Sequence, residues 1–375
     1  LPSRFWLAPL AGYTNLAFRT SVRELGGLGH ATTDLVNAKA LIRTCRKTMD
    51  LIQTSTFDRP FAVQLYGHVI EDMVAAAKWL EGYGVTSVDI NMGCPVRKVT
   101  RSGGGSALLC EGSNATTLVQ KIVESVKIPV TVKMRKGIDA DHLTFLDSGK
   151  AARDAGVAAV ALHGRTAADY YSGMADWDAI AELRESLPDV QVLGNGDIWS
   201  AADAIRMMRQ TGVDGVVVGR GCLGRPWLFA DLEEAFTAYA ADPSKDPTVN
   251  QIQPNLGQVG DAFLKHAQLL VEFFEDEQRA CRDIRKHVAW YFKGYPVGGE
   301  FRAALAQVES LEHMAQLLGE LERDIPYPGD DAEGPRGRLG SVKSCALPEN
   351  WLQSRELGSS HRLQLQEAEL SVSGG

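Results

Sequence analysis

Short apolar runs recur along the first two thirds of the chain, and each is followed by a stretch with helical spacing. The runs cover residues 6–11, 31–35, 61–66, 87–91, 130–133, 159–163, 190–194 and 215–219. Most are continuous rather than alternating, as parallel strands covered on both faces by helices require. Between them, residues 69–83 set Val69, Met73, Ala76, Ala77 and Leu80 on one helical face, and residues 200–211 do the same with Ala204, Ile205 and Met208. Ser113 and Ser200 stand where helix N-caps are expected. Eight strand–helix repeats in about 235 residues predict an α/β fold, a (β/α)8 TIM barrel.

The pattern changes after Phe236. Residues 241–256 are rich in Pro, Asp and Asn and read as a linker between a barrel over residues 1–240 and a second unit. Residues 257–325 keep helical spacing, with Phe263, Leu264, Ala267, Leu270, Val271 and Phe274 in register, and break only around 294–299. They predict a small C-terminal helical bundle. From 326 to 375 hydrophobicity falls and Gly, Ser and Glu accumulate, which predicts a loose tail.

Composition narrows the function classes. The chain is 45% hydrophobic and 23% charged, the make-up of an ordinary globular protein. It has no apolar run of about 18 residues and no signal-peptide pattern, so no membrane association is expected. Its six cysteines form no CxxC pair and no Cys/His cluster with zinc spacing, which suits a reducing cytoplasm and predicts no metal site. A net charge of −8 disfavours nucleic-acid binding by the surface as a whole and leaves room only for a local basic patch.

Active sites of such barrels lie at the C-terminal ends of the strands. Here those ends carry polar and ionisable side chains: Asp34, Gln64, Asn91, Lys133, His163, Asn195 and Arg220. Cys94 follows the fourth run on a Met-Gly-Cys-Pro turn, placed to give a proton or to attack over something bound at the strand end; the bland alternative is a partly buried apolar thiol. Residues 219–224 spell G-x-G-x-x-G, but no further strand completes a dinucleotide-binding βαβ unit. Gly194-Asn195-Gly196-Asp197 and Gly219-Arg220-Gly221 instead close the seventh and eighth runs, where barrels bind phosphate through backbone N–H groups. A phosphate there implies a phosphorylated cofactor or substrate, and a flavin is one that the other strand ends could hold. Lys133 and His163 would face its pyrimidine end, where reduction places negative charge, and Gln64 offers a donor and an acceptor to its uracil-like edge. Bland alternatives stand beside each: a rim salt bridge for Lys133, a satisfied rim histidine for His163, and a cap on its own turn for Asn91.

At this point the motifs resemble those of the tRNA-dihydrouridine synthases. Val88-Asp-Ile-Asn-Met-Gly-Cys-Pro95, then Val99 and Gly105-Ser106, is similar to the family signature. So are the opening residues 7–19, Val132-Lys-Met-Arg135, His163-Gly-Arg-Thr166, Tyr171-Ser-Gly173, the two glycine loops and residues 285–293. The likeness covers about residues 5–320; Leu10, where the family usually has Met, and Lys136-Gly-Ile138 are small departures. The resemblance implies a bacterial, FMN-dependent enzyme that reduces one uridine of tRNA to 5,6-dihydrouridine. Hydride would pass from N5 of reduced FMN to C6, Cys94 would protonate C5, and NADPH (or NADH) would re-reduce the flavin. It implies that Pro9, Leu10, Ala11, Gln64, Lys133, His163, Asn195, Gly196, Asp197, Gly219 and Arg220 hold FMN, and that Asn91, Arg135 and Arg165 lie nearer the target nucleotide. The Trp290-Tyr-Phe-Lys-Gly294 segment resembles the bacterial subgroup acting at position 17 of the D-loop.

The RNA surface must be local. Between 278 and 302 stand six Lys/Arg against two acids, and Arg282, Arg285 and Lys286 fall near one helix face, interleaved with Trp290, Tyr291 and Phe292. A solvated face with its aromatics turned inward is the bland alternative. A monomer working in the cytoplasm with tRNA and NAD(P)H as partners is expected. The rival activities are an FMN barrel acting on a free pyrimidine, like a dihydroorotate dehydrogenase, a non-redox phosphate-binding barrel using Lys133, and an RNA-remodelling protein without chemistry.

Overall fold

The structure, a computed structural model, describes residues 4–110, 115–244, 251–337, 340–348 and 351–352. Eight parallel strands close into a barrel in sequence order: β1 Phe5–Leu7, β2 His30–Asn37, β3 Phe61–Tyr66, β4 Ser87–Met92, β5 Val130–Arg135, β6 Ala159–His163, β7 Gln191–Asn195 and β8 Gly215–Val218. The predicted runs and the strands coincide to within a few residues. The first run overshoots β1 by four residues because Ala8 to Ala11 already belong to the loop at the barrel mouth.

Helices on the outside bury the strands' outer faces. Ile70–Tyr83 covers Met73, Ala76, Ala77 and Leu80, and Ala201–Thr211 covers Ala204, Ile205 and Met208. Ser200 caps the latter as expected: it accepts from the N–H of Asp203, whose carboxylate accepts from the N–H of Ser200 in return. The expected cap at Ser113 lies outside the described residues.

The barrel interior is split. Trp6, Ala8, Ala159, Ala161, Leu193 and Val217 make one apolar wall. Thr32, Asp89, Thr131 and Lys133 make a polar one facing it. The split follows from the strands themselves, since alternate side chains on β4 and β5 point inward. The interior cavity between the walls holds only about 10 Å³, room for one water. Anything larger must bind above it, at the mouth.

Beyond helix Leu228–Ala241 the chain enters helices Leu256–Phe274, Glu277–Ile284, Gly298–Leu305 and Leu311–Gly319, with a core of Phe263, Leu270, Ile284, Phe292, Met314 and others. Residues 245–250 of the expected linker lie outside the described residues. This helical unit packs on helix Leu16–Arg23 of the barrel, where Phe18 meets His266 and His287. That barrel helix is in turn anchored by a buried triad, Asp58 accepting from both Arg19 and Arg23 at 2.8 and 2.9 Å.

The loose-tail expectation is corrected for residues 326–337 and 340–348. Glu333 pairs with Arg225 at 2.5 Å, Arg336 is buried and donates to the carbonyls of Leu223 and Trp290, and the N–H of Lys343 donates to Ala168. Further on, buried Trp351 lies against Gly103. A few polar anchors hold the segment on the barrel, which low hydrophobicity does not reveal. Residues 353–375 of that expectation lie outside the described residues.

Candidate active site

Every residue expected to hold the cofactor stands at the mouth. Pro9, Leu10 and Ala11 form the loop after β1; Gln64 and Lys133 point inward from β3 and β5; His163 and Asn195 end β6 and β7; Gly196, Asp197, Gly219 and Arg220 form the loops after β7 and β8.

Strand register builds a chain of hydrogen bonds across three strands. Gln64 pairs in register with Asp89, and Asp89 with Thr131. The Thr131 hydroxyl donates to Asp89 Oδ1 at 2.5 Å, and Gln64 Nε2 donates to Oδ2 at 2.6 Å. Asn91 Nδ2 donates to Gln64 Oε1 at 2.6 Å. Asn91 Oδ1 then accepts from the N–H groups of Gly93 and Cys94 at 3.1 and 2.9 Å. Asn91 therefore does cap its own turn, and the cap is wired through Gln64 to Asp89. Burial pushes the Asp89 carboxyl up to about 6, against the pull of Thr131, Gln64 and Lys133. The inward alternation of Asp89 and Asn91 in Val88-Asp89-Ile90-Asn91 was a usable signal for Asp89, which sequence reasoning left out of the site.

Cys94 sits half-buried on this capped turn, beside Tyr66, Leu35 and Val99. Burial pushes its thiol above the ordinary value, partly offset by the Val96 N–H and by Arg135. It stays protonated at neutral pH and can give a proton. Gly105 presses the loop against Cys94 from behind; a Cβ at that position, where φ is +58°, would meet the Cys94 carbonyl at 2.6 Å.

The Lys133 ammonium makes no hydrogen bond or salt bridge among the described residues, so the rim salt bridge is not what holds it. Burial, with the Arg135 charge, lowers its pKa to about 8. His163 is held well below its ordinary value, first by burial and then by Arg135, Lys133, Arg165 and Arg220. It is a neutral imidazole, one ring nitrogen donating and the other accepting, with Nε2 3.4 Å from Arg165 Nη1.

Three of the expected arginines are engaged within the fold. Arg135 is buried and donates to the carbonyls of Gly93, Thr166 and Tyr170, tying the loop after β4 to the loop after β6. Arg165 donates to Ser172, Gly173 and the Asp197 carboxylate. Arg285 donates to the carbonyls of Gln307 and Val308. Lys286 is likewise engaged, with Asp283 at 2.8 Å, with the Gly12 carbonyl and over the Tyr13 ring. Only Arg282 of the expected basic face is exposed without a partner among the described residues. Trp290, Tyr291 and Phe292 point inward, Tyr291 and Phe292 against Phe263.

The loops after β7 and β8 fit a phosphate. The N–H groups of Gly196, Asp197 and Gly219 meet no acceptor among the described residues. Arg220 lies over the Tyr171 ring at 4.1 Å and 3.9 Å from Asp197; Tyr171 is a site residue that no strand-end pattern marks. The glycines of the G-x-G-x-x-G string have separate reasons. A Cβ at Gly221 would collide with the Ile198 carbonyl, and one at Gly224 with the Trp290 backbone of the helical unit. The string thus joins the loop after β8 to a contact with the helical unit, and among the described residues no strand follows it to complete a dinucleotide-binding βαβ unit.

Orphan N–H groups, an unpaired ammonium, a neutral imidazole and an amide at one mouth, with a protonated thiol on the adjoining loop, suit an anionic planar cofactor and a proton transfer above it. Among the described residues no helix is long and apolar enough to cross a membrane, and no group of three or more His, Cys, Asp or Glu could hold a metal ion. The dihydrouridine synthase (Dus) family profile matches residues 6–325. The chain is 46% identical over 362 residues to a probable tRNA-dihydrouridine synthase of Mycobacterium tuberculosis, covering 94% of this chain and 90% of that one. It is 35% identical over 318 residues to tRNA-dihydrouridine synthase B of Xanthomonas campestris, covering 85% and 91%. Among solved structures, a histamine dehydrogenase from Rhizobium sp. 4-9 matches at a TM-score of 0.48 and 13% identity, over 85% of this chain and 63% of that one. The chain thus belongs to the dihydrouridine synthase family, enzymes that reduce uridine in tRNA.

Proposed function

We propose that the chain carries out this reduction with FMN in the barrel mouth and Cys94 as the proton donor. FMN held there would supply hydride chemistry at C6 of the uracil ring, with NADPH as its source of electrons. The Lys133 ammonium would face the end of the ring that gains negative charge on reduction, and the free N–H groups of the loops after β7 and β8 would take the phosphate. Gln64 presents its remaining amide hydrogen and lone pair in an orientation set by Asp89 on one side and Asn91 on the other. His163, neutral, contributes one donor without a competing charge. Cys94 gives its proton to C5, and the thiolate left behind is reprotonated from solvent. A base held in a folded tRNA must leave its stack to reach this mouth.

The observation that carries the reading is the protonated Cys94 thiol on a loop pinned through Asn91 and Gln64 to the polar wall of the barrel. The test is anaerobic. The FMN-loaded protein is reduced with NADPH, unmodified tRNA is added, and flavin absorbance near 450 nm is followed. Rapid reoxidation by tRNA, and not by free uridine or orotate, supports the reading. Reoxidation by a free pyrimidine alone moves the activity to the small-molecule rival, and failure to take up FMN sinks both.

A further inference from the structure

The face expected to grip RNA is largely committed to the protein itself, since Arg285 and Lys286 bond to its own carbonyls. Unpaired cations stand elsewhere. Three residues beyond Cys94 begins a short helical turn, Arg97–Thr100. Val99 and Thr100 are buried in it, while Arg97, Lys98 and the following Arg101 are exposed. None of the three has an acidic partner among the described residues, on a chain whose net charge is −8.

The C-terminal segment lies against the same turn. The Thr100 hydroxyl donates to the Ala346 carbonyl at 2.6 Å, and Trp351 packs on Gly103 beside His68. Upstream, the N–H of Lys343 donates to Ala168 at 2.9 Å, and its ammonium stands 5.7 Å over the Tyr170 ring. Tyr170 closes the circuit, donating to the carbonyl of Pro95, next to Cys94, at 2.8 Å. A fourth exposed cation is thereby held on the rim of the mouth by residues 340–348.

We infer that Arg97, Lys98, Arg101 and Lys343 form an RNA-gripping rim that binds the phosphate backbone beside the uridine being reduced, and that residues 340–348, with Trp351, strap that rim together. The inference rests on the tRNA reading above. Phosphates are the matching ligand because four exposed cations, three of them on a buried-backed turn, surround the loop that must meet the extruded base. Contacts to phosphate position an RNA without reading its sequence and release counterions, so they register in salt dependence.

The experiment measures tRNA binding to the FMN-loaded full chain across a salt series, for wild type, Arg97→Gln/Arg101→Gln and Lys343→Gln, with thermal midpoint and flavin content as checks on folding. The double variant is expected to bind about tenfold or more weakly at low salt and to lose roughly 1.5 from the log–log salt slope, and Lys343→Gln to lose roughly 0.7. Thr100→Val, which leaves every charge in place and removes one strap anchor, is expected to weaken binding less than the double variant without changing the slope. Wild-type affinity and slope in the double variant overturn the rim while leaving the function intact. Failure of the wild type itself to bind tRNA or to be reoxidised by it overturns both. Loss of the slope in the double variant with none in Lys343→Gln overturns the part assigned to the strap.

Discussion

Replacing Asn91 with alanine removes one 6%-exposed side chain from the centre of the Thr131–Asp89–Gln64–Asn91 chain. Three partners lose a bond: Gln64 Oε1, formerly at 2.6 Å, and the N–H groups of Gly93 and Cys94 at 3.1 and 2.9 Å. The two loop N–H groups are half-exposed and turn to water at about 0.5–1.5 kcal/mol each, while the buried Gln64 oxygen costs about 1–3 kcal/mol if left unpaired. Together the loss is about 2–6 kcal/mol, falling partly on global stability and partly on the order of the Cys94 loop. Urea unfolding reads the first part as a lower midpoint at constant slope. Alkylation of Cys94 by a maleimide, followed by peptide mapping, reads the second as faster labelling than in wild type. A displacement of about 1 Å of the proton donor costs on the order of 10²-fold in rate, so uridine reduction falls by at least that much. Asn91→Asp keeps an acceptor for both loop N–H groups but sets an oxygen against Gln64 Oε1. It should protect Cys94 from alkylation as wild type does, yet still destabilise the fold. An Asn91→Ala protein with the wild-type midpoint and labelling rate refutes the argument that this side chain positions Cys94.

Other outcomes are expected from the same geometry. Cys94→Ala should abolish most uridine reduction while FMN binding and NADPH oxidation persist; equal loss of all three marks Cys94 as structural. Lys133 loses its proton near pH 8 in the FMN-free chain, so FMN affinity should hold steady below that pH and weaken above it by up to ~tenfold per unit. Lys133→Met should bind FMN more weakly and lack that step, and an unchanged pH profile in the variant removes Lys133 from the flavin. The sign for stability of the FMN-free chain is the reverse. Between about 8 and the ordinary 10.5 the unfolded chain binds more protons, so this lysine makes the fold more stable as pH rises through that window. Asp58→Ala leaves the fully buried Arg19 without its carboxylate and should cost about 3–5 kcal/mol in urea unfolding; a loss below about 1 kcal/mol contradicts the burial argument. Gly221→Ala drives a Cβ into the Ile198 carbonyl, and should lower FMN retained after gel filtration with little change in secondary structure by circular dichroism.

The barrel was legible because its signals are local. Strands buried on both faces must be continuously apolar, and helices on one face must repeat every three to four residues, so position and order could be read from the pattern. The ends of those strands carried Gln64, Asn91, Lys133, His163 and Asn195, and the fold places them all at one mouth. The Ser200 cap and the two glycine loops were equally local signals. Tertiary structure decided which polar groups remain free to meet a ligand. Arg135 reaches carbonyls 31 to 42 residues away, Arg285 reaches Val308, and Lys286 reaches Gly12 across 274 residues of chain, so no window of sequence shows them engaged. Asp89 entered the site only through strand register, which sets Gln64 and Thr131 on either side of it. Residues 326–337 and 340–348 lack the hydrophobicity that marks ordered chain, yet long-range bonds to Arg225, Ala168 and Thr100 hold them on the barrel. Sequence pattern determines where backbone and apolar surface go, because apolar surface is buried in contiguous stretches. The partners of a charged or amide side chain are set by closure of the fold, which brings together groups the chain keeps far apart.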